Sequence, residues 1–495
     1  MTMENKYLIG IDQSTQGTKA LLLDAKGNLI KRVDKAHRQI IDEKGFISHD
    51  PREIYQNTLY VVQELIQKTQ IDKRQIAGLS ISNQRETTLA WDRLTGEPIA
   101  HAIVWQCARA ADICDRVEAM GVAEKIRKKT GVTLSPYFPA SKIAWILEHV
   151  EGAREKADKK ELCYGTIDSF LIYRLTGLKS YKTDYSNASR TQLYNIFELQ
   201  WDREICALFG IETENLAEVC DSDACFGETD LEGFLPRPIP IHGVLGDSHG
   251  ALFGQGCLRP GMMKATYGTG SSIMMNIGEK PIHSTHGVVT SLAWSMGGKV
   301  NYVLEGNLNY TGAVITWLKD DLKIITSPTE TDTLAKEASK EDKTYLIPAF
   351  SGLGAPYWDS RASAAFIGMT RTTKRAELVK AALECIAYQI TDIVNAMVED
   401  ARIKVDELRV DGGPTKNQYL MQFQSDITQT TVQVPEAEEL SGLGPAYAAG
   451  IALGLWDESI FEKLHRKKYT PKMDTQLAAK KYAGWQKAIH KVITR

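Results

Sequence analysis

The sequence predicts an α/β chain of two related domains meeting at a cleft, and three observations carry that prediction. The chain has 495 residues, more than one hydrophobic core ordinarily holds. Apolar strand-like runs alternate with segments of helical period, the pattern of an α/β domain. A strand, a turn of small residues and a second strand occur twice, once at the start and once at mid-chain.

The elements follow in order. Tyr7 to Ile11 is apolar and ends at Asp12, Ser14 to Thr18 supplies small and polar turn residues, and Ala20 to Leu23 is apolar again. Asp24 to Asn28 is a turn signal, and Leu29 to Val33 reads as a third strand. Helical periodicity runs from Ile54 to Ile66, and Ile76 to Ile81 is a further strand followed directly by polar Asn83, Gln84, Arg85 and Glu86. Polar groups just beyond strand ends are natural site candidates in such sheets. The second hairpin runs from Met263 to Tyr267, turns at Gly268, Thr269 and Gly270, and continues from Ile273 to Asn276. It resembles the first in shape and shares little sequence with it. We place the boundary near residue 250, giving domains of 1–250 and 251–495. Val379, Leu383, Ile386, Ile390, Val394 and Met397 form one packing stripe of a helix. Leu408 to Val410 is a strand ending at Asp411, Gly412 and Gly413, and Gly442 to Gly454 predicts a closely packed helix behind the cleft.

Composition narrows the function classes. The 59 basic and 62 acidic residues leave a net charge of -3. There is no broad basic field, which argues against nucleic acid as the main partner. Eight cysteines without a CxxC pair read as reduced thiols. The opening residues carry no signal-peptide pattern, and no apolar run is long enough to span a bilayer. A cytoplasmic protein without stable membrane insertion is expected.

The turns at Ser14 to Thr18 and Gly268 to Ser272 have a composition that can wrap phosphate oxygens. Gly permits close backbone approach, and successive N–H groups form an anion nest. Thr15, Thr18 and Thr269 add hydroxyls, and Lys19 adds positive charge. Taken alone, each turn is equally well a structural hairpin turn. Gly17-Thr18-Lys19 lacks the GxxxxGK[ST] spacing, and no dinucleotide fingerprint follows the first strand. Asp12 and Asp247 are carboxylates of the kind that serve Mg²⁺ or accept a proton from an attacking hydroxyl. The plain alternative is a turn or helix-cap Asp. His249 lacks an HExxH partner and Ser248 lacks a GxSxG setting, so local hydrogen bonding or packing is expected of His249.

Eight segments together are far more specific: SNQRETT at 82–88, IVWQC at 103–107, YFPASKIAWILEH at 137–149, TDYSNASRT at 183–191, ATYGTGSS at 265–272, GLGAPYWD at 352–359, RVDGG at 409–413 and NQYLMQFQSDI at 417–427. Over nearly the whole chain they resemble the FGGY carbohydrate kinases. The resemblance implies two RNase H-like domains of the hexokinase/actin/Hsp70 ATPase fold flanking a cleft. It implies ATP-dependent phosphorylation of a small polyol, with glycerol the leading acceptor, and ATP and Mg²⁺ as cofactors. Asp247 would be the general base and, with Asp12, would stand near the metal. Arg85, Glu86, Trp105, Tyr137, Ser248 and Ser272 would surround the acceptor. Ser14, Thr15, Gln16, Lys19, Gly268, Thr269, Gly312, Thr316, Gly413 and Asn417 would serve the nucleotide. The first domain would be mainly polyol-binding and catalytic and the second mainly ATP-binding. A homodimer or homotetramer is compatible with the family.

Two positions depart from the family members that phosphorylate glycerol. Ser248 stands where they carry Gln, and Ser272 where they carry Phe. Both shorten side chains at the acceptor pocket and motivate an alternative acceptor, a polyol or ketose of four or five carbons. A nonenzymatic sugar sensor on the same fold ranks below an enzyme because the acidic pair and both turns are retained. A nucleotide-driven chaperone ranks below it because the polyol-facing residues are present and no peptide-binding domain is recognisable.

Overall fold

The computed structural model describes residues 6–494. Its first sheet is built on a meander of β1 (Tyr7–Gln13), β2 (Gly17–Leu23) and β3 (Leu29–Ala36). Helix α1 (Pro51–Thr69) then returns the chain so that β4 (Ile76–Asn83) lies parallel to β1. β5 (Gly227–Thr229) and β6 (Ile239–Gly246) complete the order β5-β6-β4-β1-β2-β3. β1 is buried from Leu8 to Gln13, as a central strand covered on both faces must be. β3 at the edge buries Val33 alone.

Helix α1 extends beyond its periodic stretch at both ends for local reasons. Asp50 accepts from the Arg52 N–H and Pro51 opens the first turn. Gln70 closes the helix in the left-handed region at φ 53°. The stripe from Ile54 to Ile66 packs on β2 and β3. Beside this unit lies a five-stranded sheet of Ile40–Ile41, Ile47–His49, Ala102–Ile103, Thr88–Asp92 and Leu162–Thr166, flanked by helix α2 (Pro139–His149).

Helix α3 (Asp247–Gly254) leads to the second sheet, which comprises β7 (Met263–Tyr267), β8 (Ser271–Gly278), β9 (Val289–Met296), β10 (Lys299–Leu308), β11 (Glu407–Asp411), β12 (Thr431–Pro435) and β13 (Arg466–Tyr469). Their order is β9-β10-β8-β7-β11-β12-β13. The two sheets repeat one plan: β1 is antiparallel to β2 and parallel to β4, and β7 is antiparallel to β8 and parallel to β11. Helices α4 (Gly312–Asp320), α5 (Arg375–Ala401) and α6 (Gln418–Thr428) follow the second plan. Met263, Ala265, Tyr267, Ile273, Met275, Leu304, Leu308 and Val410 share a core with the stripe of α5. Side chains alternate along strands, so Lys264, Thr266, Ser272, Glu305, Asn307 and Asp411 take the opposite face.

Helix α7 (Leu440–Ala452) packs on α3, β6, β4 and β1, so a segment from the second half of the chain covers the sheet of the first. A boundary near residue 250 therefore separates the strands of the two sheets but not their packing. Glycines set the closeness of the α3–α7 crossing: a Cβ on Gly444 would stand 1.9 Å from the Gly250 carbonyl oxygen and 2.9 Å from the Gly254 nitrogen. Both neighbours are backbone and cannot rotate away. Gly444→Ala is therefore expected to destabilise the fold by about 1–3 kcal/mol, the usual cost of overpacking, seen as a lower urea midpoint; an unchanged midpoint would show that the crossing is slack. The final helix, α8 (Thr475–Ile489), buries Trp485 against α5, where its indole donates to Asp392 at 2.8 Å. No helix among the described residues is long and apolar enough to cross a membrane.

Candidate active site

Strand register places the key groups on one rim. Asp12 lies beside Ser82 and Gln13 beside Asn83 where β1 and β4 run parallel, and Gly246 lies beside Asn83 where β6 joins them. Three adjacent parallel strands thus end together and deliver Asp12, the Arg85–Glu86 pair and Asp247 to one place, the usual site position in such sheets.

Asp247 is the first residue of α3, and its carboxylate Oδ1 accepts from the Ser248 N–H at 2.6 Å. Arg85 Nε stands 3.3 Å from the same oxygen, and the Asp247 side chain keeps 35% of its exposure. Burial at the floor of the cleft pushes the Asp247 pKa up to about 6. Arg85 pulls it down, while the charge of Glu86, and to a smaller extent that of Asp12, pushes it up.

Behind Asp247 runs a buried chain of alternating charge. The Arg85 guanidinium forks onto Glu305, Nη2 to Oε1 at 2.8 Å and Nη1 to Oε2 at 3.0 Å. Arg190 Nη1 is 3.0 Å from Glu305 Oε2, and Arg190 Nε donates to Glu86 Oε1 at 2.6 Å. Burial opposes the charge of Glu305, but Arg190 and Arg85 outweigh it and hold that carboxyl well below its usual range. Glu86 occupies the left-handed region at φ 60°, uncommon for a residue with a side chain and typical of functional turns.

Trp105 and Tyr137 meet edge to face with ring centroids 5.6 Å apart. The Trp105 indole donates to Thr15 Oγ1 at 3.0 Å, so Thr15 braces the aromatic wall. Lys142 on α2 is wholly buried, and its amine donates to the Trp105 carbonyl at 3.3 Å and to the Tyr137 carbonyl. Burial lowers its pKa to about 7.

On the side expected to serve the nucleotide, the amine of Lys19 is 3.4 Å from Asp12 Oδ2 and 2.8 Å from Glu439 Oε2, with Arg32 also on Glu439. The expected phosphate ligand Lys19 is thus already shared between carboxylates. Burial raises the Asp12 pKa against the pull of Lys19. Ser14 closes the first turn by donating its N–H and hydroxyl to the Gly17 carbonyl. Thr18 is wholly buried and Gln16 is exposed. In the second turn, Gly312 N–H donates to the Gly268 carbonyl and Ala313 N–H to the Thr269 carbonyl, which braces the turn on the start of α4.

Gly312, Thr316, Gly413 and Asn417 do come together. They line a space of about 590 Å³ with Ile315, Pro328, Leu383, Ile386 and Leu420. Asp12, Lys19, Asp411, Gly412, Gly413 and Glu439 line a second space of about 610 Å³ that meets the first at Gly413. Ser14, Thr15, Gln16, Gly268 and Thr269 line neither. Gly412, at φ 101°, lies so close to Tyr267 that a Cβ would be 2.0 Å from the Tyr267 carbonyl oxygen, so only glycine fits. Asn417 caps α6 by accepting from the Leu420 N–H at 2.9 Å and donates to Thr331 Oγ1 at 3.0 Å. An apolar chamber opening into a polar one suits a planar base followed by a polyanion. His249 is buried against Ser291 with Nε2 3.4 Å from its hydroxyl, and burial holds its pKa well below the usual value.

Glu305, Arg190, Lys142 and Asp411 were not among the expected site residues. Lys142, Arg190 and Asp411 stand inside segments that carry the family resemblance. Glu305 offers one faint signal, a single acid within the apolar run of β10.

Comparison with known proteins agrees with this geometry. The N-terminal domain of the FGGY family of carbohydrate kinases matches residues 7–254, and its C-terminal domain matches residues 263–453. The chain is 46% identical over 490 residues to the glycerol kinase of Carboxydothermus hydrogenoformans, covering 98% of each. It is 47% identical to glycerol kinase 1 of Thermotoga maritima, covering 99% of this chain and 100% of the relative. Among solved structures, Plasmodium falciparum glycerol kinase with ADP superposes with a TM-score of 0.94 at 35% identity over 99% of each chain. Xylulose kinase of Lactobacillus acidophilus shares the fold, with a TM-score of 0.87 at 24% identity over 98% of this chain and 97% of that one.

Proposed function

The chain belongs to the FGGY family of carbohydrate kinases, and from that premise we propose that it transfers the γ-phosphoryl group of ATP to a terminal hydroxyl of glycerol, with Asp247 as general base. The observation that carries this reading is the meeting of Arg85, Glu86 and Asp247 on the rim that also holds Asp12, beside the polar chamber. The acceptor named for the two curated relatives described above supports glycerol.

Arg85 is placed to donate to acceptor oxygens and Glu86 to accept from hydroxyl protons. Trp105 and Tyr137 pack the carbon chain and exclude water, with Lys142 fixing their backbone. Asp247 then orients the attacking hydroxyl and takes its proton as the bond to phosphorus forms. The adenine would occupy the apolar chamber of Gly312, Thr316 and Asn417, and the phosphates would pass Gly413 toward Asp12. Residues 1–250 would supply the acceptor side and 251–495 most of the nucleotide side. Asp12 and Asp411 line the polar chamber, and Asp247 stands on the rim beside Asp12. Asp12 with Asp247, joined by Asp411, would offer the hard carboxylate donors that suit Mg²⁺ arriving with its own waters and phosphate ligands. Phosphate charge would be neutralised by Mg²⁺ held there.

A base must be ionised to accept a proton, and the Asp247 pKa is pushed up to about 6. Activity is therefore present above that value and lost as pH falls through it. The kcat/KM profile is expected to fall about tenfold per unit on the acid side of pH 6 and to flatten above it. A profile flat down to pH 4.5 would refute the base assignment. The reaction itself is tested by ADP release from MgATP with glycerol, followed by identification of the product. ATP hydrolysis without a phosphorylated alcohol would overturn the proposed function.

A further inference from the structure

The face of the second sheet turned away from α5 carries one continuous polar row. Register sets Asn307 opposite Ser272, Ser272 opposite Thr266, and Thr266 beside Asp411, across β10, β8, β7 and β11. With neighbouring strands about 4.8 Å apart, the row runs roughly 14 Å. One end joins the acceptor cluster: Asn307 Nδ2 donates to Glu305 Oε1 at 3.1 Å, the oxygen that also takes Arg85 Nη2 at 2.8 Å. The other end, Asp411, lines the polar chamber.

One step behind the row lies Lys264, wholly buried, whose amine donates to Thr266 Oγ1 at 3.0 Å and to Ser272 Oγ at 3.4 Å. No carboxylate among the described residues forms an ion pair with it. Ser272 and Asn307 are only partly buried. Among the described residues, the Ser272 hydroxyl donates to no acceptor and Asn307 Oδ1 accepts from no donor. Glycerol has three hydroxyls, and Arg85, Glu86 and Asp247 already match them in number and in donor and acceptor character.

We infer that Ser272 and Asn307, backed by Lys264, form a further hydroxyl-binding subsite of the acceptor pocket, and that the substrate class it serves is linear polyols of four or five carbons. The inference rests on the phosphotransfer reading above and extends its acceptor. Asn307 Oδ1 accepts from the added hydroxyl, whose oxygen takes the Ser272 proton. Lys264, donating to Ser272, turns that proton outward. A site that pairs its polar groups with a substrate hydroxyl discriminates against the analogue lacking it, because the groups are then left unpaired.

The test compares kcat/KM for glycerol, erythritol, threitol, ribitol and xylitol, using the purified chain with MgATP and repeating the series with Ser272→Leu, Ser272→Ala and Asn307→Ala. At least one longer polyol is expected to be phosphorylated with a kcat/KM within tenfold of that for glycerol in the unaltered protein. Each substitution is expected to lower the ratio of longer polyol to glycerol at least fivefold, mainly through KM. Ser272→Ala adds no bulk, so it tests the subsite even if Ser272→Leu fails to fold. A wild-type kcat/KM for glycerol more than tenfold above that of every longer polyol, or a ratio unmoved by Ser272→Ala and Asn307→Ala, would overturn this inference alone. Phosphorylation of no polyol at all would overturn it together with the reading on which it rests.

Discussion

Asp247→Asn is expected to lower kcat by roughly 10²–10⁴-fold, the range that a positioned general base supplies, while the protein stays folded. The substitution is isosteric. An Asn oxygen still accepts from the Ser248 N–H, which the carboxylate takes at 2.6 Å. Arg85 keeps its fork onto Glu305 at 2.8 and 3.0 Å, so no buried cation loses its main partner. The side chain retains 35% of its exposure, and an ion pair that wet contributes about 1 kcal/mol or less. What the variant lacks is basicity. The acid limb of the pH profile near 6 should therefore disappear with the rate, because the group that titrates there is gone. Circular dichroism and the urea midpoint, run beside a single-turnover assay, separate the two effects. A kcat within tenfold of the unaltered protein would remove Asp247 from the base role.

Asp12, Arg85, Glu86 and Asp247 were legible in the sequence for a reason that is also structural. Each stands just past an apolar run, and parallel strands that end together must present such residues on one rim. The two hairpins were legible because a strand, a small-residue turn and a strand have few other ways to fold. Residues that depend on distant partners were not. Lys19 follows a turn whose local composition suits phosphate, but Glu439, 420 residues away, decides where its amine lies. Glu305 is silent within β10, since its meaning comes from Arg85, 220 residues away. Lys142 reads as an ordinary helix cation until α2 packs it under Trp105 and Tyr137. The segment 442–454 announced close packing through its small residues, and α7 does pack closely. The identity of the surface it covers, the first sheet rather than its own, was fixed by long-range topology and had no local sign. The departures at Ser248 and Ser272 were visible one residue at a time. That Ser272 belongs to a row with Asn307, Thr266 and Asp411 needed the strand register.

Glu305→Gln is expected to cost about 3–5 kcal/mol of stability, the penalty for breaking a buried ion pair from one side. Glu305 is 1% exposed and balances two buried guanidiniums, those of Arg85 and Arg190. Gln keeps the shape and one acceptor oxygen but leaves the two cations with only Glu86 and Asp247 as counter-charge. Because Glu305 lies in β10 of the second sheet and Arg85 just past β4 of the first, their fork also ties the two halves together. The urea midpoint should therefore fall sharply, and the KM for the acceptor should rise as Arg85 loses its fixed orientation. The sign of a second effect distinguishes this from simple unfolding. Removing one negative charge beside Arg85 leaves that cation freer to act on Asp247, whose pKa of about 6 reflects burial offset by Arg85. The acid limb of the rate profile should then move to lower pH in the variant that remains folded. Glu305→Asp, which keeps the charge at a shorter reach, should recover much of the stability and return the limb toward 6. A Glu305→Gln protein with an unaltered midpoint and an unmoved acid limb would mean that the fork neither supports the cleft nor tunes the carboxylate.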